Sequence, residues 1–277
     1  MLRQITSLTK RELKHWYRVK IQVFMTIIQP VVWLGLFGQA FNIGQLFNVP
    51  GMPPGVFEEA FSGAPNYFSF MAIGMLAVNV LFTCMFSGMS IVWDRRFGFL
   101  NKLKVSPIPR GVIPVSRMMA TVIRAMIQVV IVFAIAIAFN FVPGLTGLSL
   151  KEGFGLAEIA GSFAMLFLLA LGFAALFTTI ALAVENQETL FGVINLINLP
   201  LMFASAALFP TTLMPAWLRT IANYNPLTLA ADGLRQLAFV DPSPVHSLMW
   251  DFIGLVLFAI ALLAISIGMS RKLLSNR

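Results

Sequence analysis

The chain has 277 residues, of which 58% are hydrophobic and 11% charged, with a mean hydropathy of +0.86. A water-soluble domain carries about 25% charged residues, so the composition excludes a soluble globular protein and points to a membrane protein. The net charge of +8 excludes nucleic-acid binding by its placement: Arg3, Lys10, Arg11, Lys14, Arg18 and Lys20 precede the first long apolar run, and Arg271, Lys272 and Arg277 follow the last, where basic residues set topology.

Residues 1–20 place Leu2, Ile5, Leu8, Leu13 and Trp16 near one helical face and Arg3, Lys10, Lys14 and Arg18 near another. That pattern predicts an N-terminal helix lying in the membrane interface. A signal peptide does not fit, because the basic region is too long and the following run, Ile21 to Phe41, is long enough to span. Five further apolar runs follow: Tyr67 to Trp93, Met118 to Phe141, Leu156 to Val184, Leu190 to Phe209 and Leu248 to Ser270. The expected fold is therefore all-α and polytopic, a single transmembrane domain over residues 1–277 with six membrane helices. The connection between the second and third runs contains Arg95, Arg96, Lys102, Lys104, Arg110 and Arg117, so it and both termini are expected on the cytoplasmic side. The fourth connection must lie on the same side, yet Glu185 and Glu188 have no basic neighbour there and need a partner elsewhere.

Residues 209–239 form neither a clean span nor a polar loop. Pro210, Pro215 and Pro226 break helices, whereas Leu213, Trp217, Leu218, Ile221, Leu227, Leu229, Leu234 and Leu237 are too apolar for water. Two short re-entrant helices before the last span are expected, with their irregular backbone covered by protein.

A P-loop, Gly-x-x-x-x-Gly-Lys-Ser/Thr, occurs nowhere, so any ATP that drives this chain is bound by another. The single Cys84 excludes an internal disulfide and any Cys-x-x-Cys motif, and His15 and His246 offer no metal cluster. Gly161-Ser162 with His246 is the only loose pairing for an intramembrane serine protease, and it lacks the second glycine of a nucleophile elbow.

The segment 94–107, from Asp94-Arg95-Arg96-Phe97-Gly98 through Leu100 and Leu103 to Pro107, predicts a short amphipathic helix stopped by prolines. Such a helix can fit a groove on a partner or rest on lipid. Polar residues inside the spans fall in rows. Asn79, Thr83 and Ser87 share a face in the second span, as do Asn195, Asn198, Met202 and Ser205 with Gly192 around the fifth. Either row can line a passage or act as interhelical glue, worth about 0.6 kcal/mol per bond. Arg124 is expected to snorkel from a helix of roughly 39 Å or to pair with Glu185 or Glu188. Asp232 and Arg235 have a spacing that permits an ion pair.

These residues together resemble the permease subunits of ABC-2 type ABC exporters, most closely the daunorubicin-resistance branch. The likeness rests on the basic N-terminal helix, the Asp94-Arg95 to Pro107 segment, and Met214-Pro215-Ala216-Trp217-Leu218 followed by Asn225-Pro226-Leu227-Thr228, Asp232 and Arg235. Arg96 departs from it, standing where many relatives carry an acid. The resemblance implies that the region around Phe97 to Val105 is a coupling helix, so that Asp94, Arg95, Phe97, Gly98, Leu100, Leu103 and Pro107 would meet an ATPase, with Glu185 and Glu188 beside them. It also implies that the second and fifth spans face a dimer axis, which would make Asn79, Thr83, Ser87, Asn195, Asn198, Met202 and Ser205 the lining of a path. Pro215, Asn225, Pro226, Asp232 and Arg235 would form the re-entrant motif. The implied assembly has two ABC ATPase subunits and a second permease copy, identical or related, in the cell membrane. The chain itself would hold no cofactor, with ATP and magnesium on the ATPase, and would move a drug, lipid or glycolipid outward. A secondary transporter or channel is the alternative, and an intramembrane enzyme the third reading.

Overall fold

The computed structural model describes residues 2–40, 55–96, 111–184 and 186–275, which hold ten α-helices in chain order and no strand. They are α1 (Leu2–Arg18), α2 (Lys20–Ala40), α3 (Val56–Ala60), α4 (Tyr67–Arg96), α5 (Val112–Ala138), α6 (Leu156–Ala183), α7 (Gln187–Phe203), α8 (Ala216–Asn223), α9 (Pro226–Ala238) and α10 (Leu248–Ser275). The expected all-α polytopic fold is what the chain adopts. Among the described residues, four stretches are long and apolar enough to cross a membrane: Tyr67–Met89, Val112–Phe141, Leu156–Ala183 and Leu248–Ser270. The first and fifth expected spans are the helices α2 and α7. Among the described residues the apolar part of α2 is Ile27–Gln39, and α7 has 17 residues, about 26 Å of rise.

The helices start and stop for local reasons. Glu158 accepts the Gly155 N–H at 3.0 Å and pairs with Lys151 at 3.4 Å, closing the first turn of α6. Asn186 and Asn225 cap α7 and α9 by accepting the Glu188 and Leu227 N–H groups, and Pro226 fills the first position of α9, where no N–H is needed.

Burial orders the bundle from the centre outward. The apolar window of α4 is 94% buried and that of α10 only 17%, so α4 is the central helix and α10 a peripheral one packed along α6 and α9. Phe61, Phe68, Phe70, Met71, Met75, Phe173 and Phe177 fill the space between α4 and its neighbours. The exposed side chains of α2 (Ile21, Phe24, Val32, Leu36) and α7 (Phe191, Leu196, Leu199, Phe203) are apolar too. Such faces suit lipid or another apolar helix surface, not water.

The helix α1 buries Thr9, Glu12 and Trp16, spaced by three and four, against the start of α5. Thr9 Oγ1 donates to the Ser116 carbonyl at 3.2 Å, and Glu12 pairs with Arg117 at 3.3 Å. The N-terminal helix is thus packed on protein through one polar stripe, while Tyr17 and the basic residues Arg3, Lys10, Lys14 and Arg18 stay at or near the surface.

Candidate functional site

The two rows expected to line a path have different surroundings. On α4, Asn79, Thr83 and Ser87 are all buried. The Thr83 hydroxyl lies on the Asn79 carbonyl at 2.8 Å and on Gln128 Oε1, and Ser87 shares a hydrogen with Thr121, which itself donates to the Arg117 carbonyl at 2.9 Å. The partners come from a third row, on α5, that the motif reading passed over: Arg117, Thr121, Arg124 and Gln128, at intervals of four, three and four, are all buried. Part of the α4 row therefore holds α4 to α5.

On α7 the buried stripe runs Leu190, Ile194, Asn198, Met202, and Ser205 beyond the helix is fully buried. Asn195 is half-buried and turns its amide to the Phe191 carbonyl of its own helix at 3.0 Å. Asn79 Nδ2 and Gln128 Nε2 have no acceptor, and Asn198 Oδ1 has no donor, although all three are buried. A Cβ on Gly74 of α4 would overlap the carbonyl oxygen of Ala207, four residues beyond the end of α7. An unmatched donor on α4 and an unmatched acceptor on α7 thus lie on two helices that pack together.

Arg124 is 6% exposed, with Nε unpartnered. It neither snorkels nor rests on Glu188, whose side chain is exposed. Among the described residues, the carboxylate within its electrostatic reach is Glu12 of α1, and Glu185 lies outside them. Glu12 thus pairs with one buried arginine, Arg117, and influences a second, and burial of such charges is costly unless they are paired.

Beyond Phe203 the chain leaves the helix, and its freed backbone groups are taken up one by one. Asn225 Nδ2 donates to the carbonyls of Leu201 and Ala204 at 2.8 and 2.6 Å, and Thr228 Oγ1 accepts the Ala206 N–H at 2.8 Å. Arg235, 1% exposed, donates from Nη1 to Ala206 at 2.8 Å and from Nη2 to Phe70 and Ala207 at 3.0 and 3.2 Å, all carbonyls, with its guanidinium 3.7 Å over the Phe70 ring. A second arginine, Arg219 of α8, treats the turn Thr211–Leu213 alike through the carbonyls of Thr211, Thr212 and Met214. Pro215 caps α8, its carbonyl accepting the N–H groups of Leu218 and Arg219 at 3.0 and 2.9 Å. The motif residues are thus those that satisfy a broken backbone away from water. The spacing of Asp232 and Arg235 permits an ion pair that does not form. Asp232 Oδ2 instead accepts the N–H groups of Val245 and His246 at 2.9 and 3.1 Å, while Nη1 and Nη2 of Arg235 serve the three carbonyls and its Nε has no partner.

Of the residues implied for coupling, Phe97, Gly98, Leu100, Leu103, Pro107 and Glu185 lie outside the described residues. Asp94 and Arg95 belong to the last turn of α4, and Glu188 to the first turn of α7.

Apolar helices around a buried polar seam, with one end closed by a backbone-satisfied hairpin, are the architecture of a multi-pass α-helical membrane protein. The chain belongs to the ABC-2 type transporter family, whose sequence model matches residues 3–239. It is 30% identical over 272 residues to the transport permease ycf38 of Cyanophora paradoxa, covering 97% of this chain and 83% of the relative. It is 23% identical over 260 residues to the daunorubicin resistance ABC transporter permease protein DrrB1 of Streptomyces coeruleorubidus, covering 93% and 81%. The doxorubicin resistance ABC transporter permease protein DrrC of Mycobacterium tuberculosis matches at 23% over 252 residues, covering 87% and 80%. The family resemblance read from the residues is thus borne out, and the chain is a membrane permease of the ABC transporter class.

Proposed function

We propose that this permease is the transmembrane subunit of an ATP-driven exporter that moves an apolar or amphipathic compound out of the cytoplasm or inner leaflet. The observation that carries the reading is the pair of unmatched amide groups, Asn79 Nδ2 on α4 and Asn198 Oδ1 on α7, buried on two helices that pack together. A buried polar atom without a partner costs about 1–3 kcal/mol, and a passing substrate with a hydroxyl, carbonyl or amide can supply the partner. The relatives named for daunorubicin and doxorubicin resistance support a substrate of that kind.

In this reading ATP and magnesium lie on two partner ATPase subunits, which the lack of a P-loop motif in these 277 residues supports, and a second permease copy, identical or related, completes the assembly. Phe97, Leu100 and Leu103 are the proposed apolar contacts with the ATPase, with Asp94, Arg95, Gly98, Pro107, Glu185 and Glu188 around them. Both termini and the α1 end of the bundle face the cytoplasm of the cell, in keeping with the basic second connection.

The test is co-purification with an ABC ATPase together with ATP-dependent drug or lipid transport in the same vesicles. The wild type should retain the ATPase and transport. Leu100→Ala and Phe97→Ala should insert normally but lose both, because one such buried side chain is worth about 1.5–3 kcal/mol. Transport that proceeds without any ATPase would refute the reading.

A further inference from the structure

Two carboxylates are buried together at the hairpin end, where α9, residues 240–247 and the first turn of α10 converge. Asp232 is 1% exposed and Asp251 0%. Each has one occupied oxygen. Oδ2 of Asp232 accepts the backbone N–H groups of Val245 and His246 and, at 3.3 Å, Nε2 of Gln236; Oδ2 of Asp251 accepts from the same Gln236 nitrogen at 2.9 Å. A single amide nitrogen, also bound to the His246 carbonyl at 3.0 Å, therefore spans both side chains. The Oδ1 atom of each aspartate is buried and has no hydrogen-bond partner.

The surrounding charges do not balance the pair. Arg235 lies within electrostatic reach of Asp232, but its guanidinium is held by three carbonyls. His246 turns its ring nitrogen Nε2 to the Asn223 carbonyl at 3.1 Å, with Tyr224 and Trp250 beside the ring. Arg219 on α8 is engaged by carbonyls, and Asp241 is exposed. On the approach to α6, Lys151 and Glu158 pair with each other. Two carboxylates and one arginine leave one negative charge in excess, with two empty acceptor positions. Two ionised carboxylates at such spacing repel strongly in a low-dielectric interior. One proton held by the pair removes the excess charge and turns one carboxylate into a hydrogen-bond donor beside the other. A metal ion does not suit the same place, since it needs about six oxygen ligands or more and Gln236 aims N–H groups at both carboxylates.

We infer that Asp232 and Asp251 form a proton-binding site, a carboxylic acid–carboxylate pair that fastens α9 to the first turn of α10 and holds residues 240–247 across the hairpin. Gln236 is its positioning residue. The site lies apart from the polar rows and from the residues proposed for coupling.

Infrared spectroscopy of the purified full-length protein at neutral pH tests the assignment. A protonated-carboxyl C=O stretch is expected in the wild type, should shift when aspartate is labelled with carbon-13 at its carboxyl, and should vanish in Asp251→Asn. Absence of a label-sensitive band in the wild type overturns the proposal without recourse to any variant. Thermal unfolding supplies a second readout. Asp251→Asn, whose amide can donate to Asp232 as the proton does, should keep a midpoint near that of the wild type, and Asp251→Leu should lower it. Equal midpoints for the two variants count against a shared hydrogen bond. A wild-type midpoint raised by sodium, potassium or calcium at constant ionic strength, and not raised in Asp251→Asn, makes the site a cation site and overturns the proton assignment.

Discussion

Replacing Arg235 by methionine removes the donors that serve the carbonyls of Phe70, Ala206 and Ala207, and the stack over Phe70, while keeping much of the side-chain volume. Each buried carbonyl left without a donor costs about 1–3 kcal/mol, and the lost cation–π contact about 2 kcal/mol in a desolvated site. Relief from burying a cation offsets several kcal/mol of this. The balance is a destabilisation on the order of 3 kcal/mol, concentrated where the unwound residues 204–210 meet α4. Arg235→Lys should fall between, since an ammonium has three donors but not the planar fork that spans three carbonyls. The assay is thermal unfolding of the purified permease in detergent, with limited proteolysis of residues 204–247 as a local readout. Arg235→Met should unfold earlier and become cleavable in that segment before the rest of the bundle. A wild-type midpoint together with a wild-type cleavage pattern would show that the carbonyls find other donors and that the latch reasoning is wrong.

Gly74→Ala drives a methyl group into the Ala207 carbonyl; because the obstacle is backbone, the variant should express poorly or unfold early, and normal yield and stability would contradict the close approach. A double-mutant cycle of Thr83→Val and Gln128→Leu should return a coupling energy of about 0.6 kcal/mol, at most about 1.7, and strict additivity would mean that the two side chains do not share a hydrogen bond. Glu12→Ala removes the carboxylate that Arg117 contacts at 3.3 Å and should cost up to about 3–5 kcal/mol, the penalty for breaking a buried pair; it is read as faster proteolysis within residues 2–18, and unchanged protection would place the anchor of α1 elsewhere.

The apolar runs were legible because a membrane helix must carry some twenty apolar residues, and each of the six runs coincides with one of the helices α2, α4, α5, α6, α7 and α10. Their ends were less so. The fifth run was expected to continue to Phe209, but α7 stops at Phe203 because Asn225 and Arg235, distant in sequence, take its carbonyls. The third was expected from Met118 and begins at Val112, since Glu12 neutralises Arg117 and lets another turn be buried. That pairing joins residues 105 positions apart and leaves no local signal. The row Arg117, Thr121, Arg124, Gln128 did leave one in its helical spacing. It went unread because Arg124 was weighed alone, as a charge in lipid, and not as one member of a buried face.

The ties described above also decide which helices can move independently. At the α1 end, α1 is fixed to α5 by Glu12 and Thr9. Further along, α5 is fixed to α4 through Thr83 with Gln128 and Ser87 with Thr121. At the hairpin end, α4 is fixed through the Phe70 carbonyl and the Gly74 approach to the unwound residues after α7. By contrast, α7 meets its neighbours along one narrow buried stripe and leaves Phe191, Leu196, Leu199 and Phe203 exposed. Displacing the segment between α4 and α5, where the proposed ATPase contacts lie, therefore carries α1, α4 and α5 together. Of the long helices, α7 has the least to break, and it carries the unmatched Asn198 group while α4 carries that of Asn79. Satisfied hydrogen bonds resist separation and unsatisfied ones do not. On the proposed function, a substrate with a donor and an acceptor would gain most by meeting those two groups.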